Sequence, residues 1–232
     1  NQIKSNQIKS NQIKSNQITS NHMKTKTINL IRQIKRIGVI PVVAAGLILV
    51  GCKKDEEDPH HEHDHEVFTD VKLIFTNTED SKDVVEATAQ DPDGEGVEIL
   101  QVKNAINLDT SKSYTLTFEI MNNLETPGDN IGAEIKEEDD EHQVFFSFSE
   151  GAFSNPSGNG NIDKASDPVV YNDKDENGFP VGLNTSWETS STPLDKGTFT
   201  VQLQHQPGVK TATSSVEDGD ADFVLKFELN IN

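Results

Sequence analysis

Phe223-Val224-Leu225-Lys226-Phe227-Glu228-Leu229-Asn230-Ile231 sets large apolar residues at 223, 225, 227, 229 and 231 against Lys226, Glu228 and Asn230. Side chains of an extended chain point alternately to opposite faces, so a period of two places all five apolar groups on one side of a strand. The same period recurs upstream. Val71, Leu73 and Phe75 alternate with Lys72 and Thr76, and Tyr114, Leu116, Phe118 and Ile120 with Thr115, Thr117 and Glu119. Val144, Phe146 and Phe148 make a further set, as do Phe199, Val201 and Leu203. Weaker candidates lie at Val84 to Ala89, Val97 to Val102 and Pro168 to Tyr171. Turn-rich stretches such as Asn155 to Asn161 separate them, and no segment carries a convincing amphipathic helix. About eight short strands without helices predict an all-β, antiparallel sandwich, immunoglobulin-like or jelly roll, over residues 67–232.

The preceding residues have a different character. Asn1 to Ser20 is four near-copies of Asn-Gln-Ile-Lys-Ser, too short a period for a structural repeat, and residues 1–22 are read as a non-native repeat extension ahead of Met23. Residues 23–51 have the order of a signal peptide: Lys24, Lys26, Arg32, Lys35 and Arg36, then an apolar run of about 14 residues from Ile37 to Val50. That run falls short of the ~20 residues needed to span a bilayer. It ends in Leu49-Val50-Gly51-Cys52, which resembles the lipobox of bacterial lipoproteins and predicts cleavage before Cys52 and lipidation (palmitate among the acyl chains) on it. Cys52 is the single cysteine, so neither an intramolecular disulfide nor a cysteine-based zinc site is available. Several acyl chains on one residue make a lasting anchor. Lys53-Lys54-Asp55-Glu56-Glu57-Asp58 resembles the acidic export signal of surface-exposed Bacteroidota lipoproteins, which predicts an outer-membrane protein displayed at the cell surface.

All 39 acidic residues follow Cys52 but only 12 of the 20 basic ones do, giving that part a net charge of −27. Phosphate-bearing partners are repelled by such a field, which excludes nucleic acid and favours cations. Within the acidic, His-rich tether of residues 52–66, Asp58-Pro59-His60-His61-Glu62-His63-Asp64-His65-Glu66 has a metal-binding composition, and His60, His61, His63 and His65 are candidate ligands for zinc or copper. The string His61-Glu62-His63-Asp64-His65 also fits the His-Glu-x-x-His pattern of zinc proteases, but in a tract composed almost wholly of His and acid it follows from composition.

Two more histidines follow from strand parity. His142 is in phase with Val144, Phe146 and Phe148, and His205 with Phe199, Val201 and Leu203. Antiparallel pairing of these strands in the right register would join His142 and His205 beside Glu137, Glu138 and Glu141. That makes His142, His205 and Glu138 candidate metal ligands; the alternative is a pair of hydrogen-bonded rim residues. Asp173-Lys174-Asp175-Glu176-Asn177-Gly178 follows the first half of a calcium loop, with Asp173, Asp175 and Asn177 as candidate ligands, although Asn184 stands where the closing Glu belongs. Asp91-Pro92-Asp93-Gly94-Glu95-Gly96 is a weaker loop of the same kind.

Asp91-Pro92-Asp93-Gly94, Glu137-Glu138-Asp139-Asp140-Glu141-His142-Gln143, Pro180-Val181-Gly182-Leu183 and His205-Gln206-Pro207 resemble a family of Bacteroidota lipoproteins with a His/Glu-rich stretch after the lipid-bearing cysteine. The family is sometimes labelled as type 1 periplasmic-binding-fold proteins. The label implies two Rossmann-like lobes, whereas the residues themselves argue for a sandwich.

The expected function is therefore a surface lipoprotein that binds zinc or copper for capture or buffering, with metal ions and an outer-membrane transporter as partners. The alternative is a calcium-stabilised adhesion or glycan-binding sandwich with Trp187 and Tyr171 exposed in a binding face. An enzyme is not expected, since no Ser-nucleophile elbow, cysteine nucleophile or phosphate loop occurs.

Overall fold

A computed structural model describes residues 66–94 and 99–232. Cys52 and His60, His61, His63 and His65, with the rest of the tether and the signal peptide, lie outside the described residues. The described chain is all-β apart from one short helix. In order the elements are β1 (Asp70–Asn77), β2 (Val84–Gln90), β3 (Gln101–Val102), β4 (Ile106–Leu108), β5 (Ser113–Met121), α1 (Ile131–Glu137), β6 (His142–Phe148), β7 (Phe153–Asn155), β8 (Val170–Tyr171), β9 (Asn184–Thr189), β10 (Leu194–His205) and β11 (Asp220–Ile231).

One sheet runs β3-β2-β1-β5-β9-β7, with β8 also paired to β9, and the other runs β4-β11-β10-β6. Pairing is antiparallel except that β4 runs parallel to β11, with Leu229 opposite Ile106. The period-two sets face inward as expected. Val71, Leu73, Phe75, Leu116, Phe146, Phe199, Val201 and Phe227 are fully or almost fully buried in one apolar cluster between the sheets. Rings lock the two layers together: Phe75 lies edge-on to Phe199 at 5.7 Å, and Trp187 on β9 meets Phe146 at 5.3 Å and Phe199 at 5.1 Å. The described residues form no Rossmann-like lobe, so the two-lobed fold implied by the family label does not hold here. Two mainly antiparallel sheets packed face to face leave no place for the alternating crossover helices that such lobes need.

Two expectations change. A helix is present: Asn130 caps it by accepting from the Ala133 amide, and Ile131 and Ile135, four residues apart, bury its one apolar stripe. Trp187 is not exposed but fully buried, because it stands on the inward face of β9. Tyr171 is half-buried, and its hydroxyl donates to the Val144 carbonyl at 2.8 Å while accepting from Asn161 Nδ2 at 2.9 Å. The exposed aromatic face of an adhesion module is therefore not formed by these two residues.

The outer edge of β6 is closed, which matters because unpaired edges recruit other strands. The Val144 amide donates to the Val181 carbonyl at 2.7 Å, the Phe146 amide to Asn161 Oδ1 at 3.0 Å, and the Phe148 amide to the Asn159 carbonyl at 2.9 Å.

Candidate metal centre

The β6 and β10 ladder ends on one rung where His205 is directly opposite His142. The two rings stack at 4.6 Å, 4° from parallel. Cross-strand neighbours at one rung are necessarily close, so this contact follows from the register alone. His142 enters the sheet immediately after the segment that leaves α1. That short turn lets its Nδ1 meet the Glu138 backbone carbonyl at 3.0 Å.

With Nδ1–H donating to that carbonyl, the neutral ring presents a lone pair at Nε2. Nε2 is buried with no hydrogen-bond partner, on a side chain of 0% exposure. Glu66 Oε2 lies 3.5 Å away and Asp222 Oδ2 4.0 Å away, and both oxygens are likewise buried without a hydrogen-bond partner. A charge-assisted hydrogen bond would draw such atoms to about 2.7–2.9 Å. Two ligands of one tetrahedral zinc, each bonded at about 2.0–2.2 Å, stand roughly 3.3–3.5 Å apart. The His142–Glu66 separation has the second spacing. Ligand atoms of Glu66, Glu138 and His142 all lie within 4.8 Å of one another, and no other such group of three or more His, Cys, Asp or Glu occurs among the described residues.

The electrostatics report the same crowding of negative charge. Burial alone would push the His142 pKa down, but the Glu66 carboxylate, the Glu138 carbonyl and Asp222 outweigh it and hold it above the usual histidine value. Burial, reinforced by the Glu66 charge, pushes Asp222 up to about 7. Both shifts have one origin: negative charge crowded where water cannot stabilise it takes up protons. On the neighbouring ring, His205 Nε2 stands 3.5 Å from Glu141 Oε2.

Of the sequence candidates, His142, His205 and Glu138 are brought together. The Asp173 and Asp175 carboxylates are elsewhere and already engaged. Asp173 accepts from the Gly182 and Asn184 amides at 2.9 and 3.0 Å, and Asp175 Oδ1 accepts from the Asn177 and Phe179 amides at 2.9 and 2.8 Å. Asp175 Oδ2 faces Lys210 Nζ at 3.0 Å, so the calcium-loop expectation would require a cation to displace an ammonium.

Two cluster residues were missed. Glu66 counts by sequence as the last tether residue, yet its side chain reaches His142. Asp222 is placed by a β-bulge: Leu203 pairs with Phe223 and Gln204 with Ala221, which leaves Asp222 as an extra residue on β11. Such an insertion re-aims a side chain without any sign in the hydrophobic pattern.

The backbone around the centre also depends on Gly219, which has φ +80°, and a Cβ there would collide with the His205 carbonyl oxygen. Gly158, at φ +94° with nothing near its Cβ position, isolates the conformational part of the effect. We expect Gly158→Ala to cost about 1–2 kcal/mol and Gly219→Ala at least that again, read from urea unfolding midpoints. Equal costs would mean that the close approach to His205 is soft.

Comparison of the chain with protein-family models, with curated proteins and with solved structures gives no match in any of the three. Among the described residues no helix is long and apolar enough to cross a membrane.

Proposed function

We propose that this chain is a lipid-anchored outer-membrane protein that binds a divalent transition metal, zinc or copper, at the His142 cluster, for capture or buffering at the cell surface. The observation that carries this reading is the buried Nε2 of His142. It has no hydrogen-bond partner, it is aimed at two buried carboxylate oxygens, and its ring is oriented by a backbone carbonyl on Nδ1. Metal-ligating histidines are held in the same manner, with the second ring nitrogen on a carbonyl or carboxylate that fixes the tautomer. One imidazole with carboxylates suits zinc, and recruitment of His205 adds the second nitrogen that copper favours. The His tract ends one residue before the cluster, and the −27 charge after Cys52 concentrates cations around both. Anchoring and surface display rest on Cys52 and on the acidic residues that follow it. The reading is of a binding protein and assigns no catalytic step.

Calorimetric titration of the full chain with zinc, copper and calcium tests it. Zinc or copper is expected to bind with micromolar or tighter affinity and calcium far more weakly. His142→Ala should weaken the tight site by 10- to 100-fold or more. Changing His60, His61, His63 and His65 together to Ala should leave the His142-dependent site in place and remove weaker binding. Absence of transition-metal binding, or tight binding indifferent to His142→Ala, would sink the proposal.

A further inference from the structure

Beside the cluster lies a cleft of about 490 Å³, within the usual size range of small-molecule sites. Its walls are mainly apolar, with Phe68, Leu100 and Leu225 among them, and Phe68 is braced edge-on by Phe223 at 5.3 Å. Among the described residues three carboxylates also line it, Glu66, Asp91 and Asp222, and no Lys, Arg or His does. Asp91 is independent of the metal centre. It is 5% exposed, and its Oδ1 is buried with no hydrogen-bond partner.

A bare metal ion gains nothing from apolar walls, and a purely apolar ligand would leave the Asp91 oxygen unanswered. A buried acceptor is ordinarily matched by a donor, and a buried carboxylate by a cation. We infer that the cleft binds an organic amine, whose ammonium pairs with Asp91 while its hydrocarbon body lies against Phe68, Leu100 and Leu225. Excess negative charge in a low-dielectric cleft selects the cation over an isosteric alcohol and rejects the corresponding acid. The inference does not depend on metal binding, since Asp91 and the apolar walls stand outside the His142 cluster.

The test uses the full chain freed of metal by a chelator and titrated with hexylamine, 1-hexanol and hexanoate, three probes of one length that differ in charge. Hexylamine should bind at submillimolar concentration, 1-hexanol at least 10-fold more weakly, and hexanoate not measurably. Asp91→Asn should weaken hexylamine at least 10-fold and leave 1-hexanol unchanged. On the unaltered chain, hexylamine should move the methyl NMR signals of Leu100 and Leu225, a readout that needs no variant to fold. Equal binding of hexylamine and hexanol, no binding at all, or shifts confined to methyl groups elsewhere would each overturn the inference. Failure of the metal titration would leave it standing.

Discussion

Lys210→Met is expected to lower the stability of the folded chain by about 3–5 kcal/mol, the cost of removing one partner from a buried ion pair. The Lys210 and Asp175 side chains are 1% and 0% exposed, with Nζ 3.0 Å from Oδ2, and Nζ also donates to the Asp139 carbonyl. Methionine fills the space and leaves the Asp175 charge enclosed with only backbone amides on its other oxygen. Burial alone would raise the Asp175 pKa, but the Phe179 amide and the Lys210 ammonium outweigh it and hold the value below the usual one. A depressed carboxylate contributes stability that is present above its unfolded pKa, ~3.9, and lost as pH falls through the folded value. The difference between the two proteins should therefore narrow below about pH 4. Adding Asp175→Asn removes the stranded charge and should recover part of the loss. Urea titrations at neutral and acid pH check both points, and a loss under about 1 kcal/mol would show that the pair behaves like one on the surface.

Trp187→Ala should cost about as much, roughly 3–5 kcal/mol, for a different reason. Trp187 is fully buried, and besides Phe146 and Phe199 its ring meets Phe148 at 5.5 Å and Phe153 at 4.9 Å. Truncation opens a cavity between the sheets that the four surrounding rings cannot easily close. The indole Nε1 donates to Thr185 Oγ1 at 2.8 Å, and Thr185 is itself 0% exposed. Trp187→Phe keeps most of the volume but strands that hydroxyl, so a smaller loss of about 1–3 kcal/mol is expected. Thermal unfolding followed by circular dichroism gives the order, and a Phe variant as unstable as the Ala variant would assign the loss to the hydrogen bond instead.

The buried faces of β1, β5, β6, β10 and β11 could be read from the sequence, because each sets a large apolar residue at every second position over at least five positions. The strand that carries Trp187 could not. Its inward residues are Thr185, Trp187 and Thr189, and two threonines in three positions erase the hydrophobic alternation while still packing well. The helix was hidden by its length, since seven residues leave only Ile131 and Ile135 to mark its period. The juxtaposition of His142 and His205 was legible because parity fixes the face and antiparallel pairing fixes the ends. Asp222 was not, because a bulge breaks parity at that residue, and the reach of Glu66 depends on how the chain enters β1.

Glu66 belongs both to the cluster and to the end of the tether, and so it limits where the site can operate. Fourteen residue steps separate it from Cys52. At no more than about 3.3–3.6 Å per step, that chain extends to roughly 50 Å at most. On the proposed lipidation, however the intervening residues run, the His142 centre stays within that leash of the lipid surface while the far end of the sandwich can swing beyond it. On the proposed metal binding, an ion released from the centre starts its path no farther than that leash from the lipid surface.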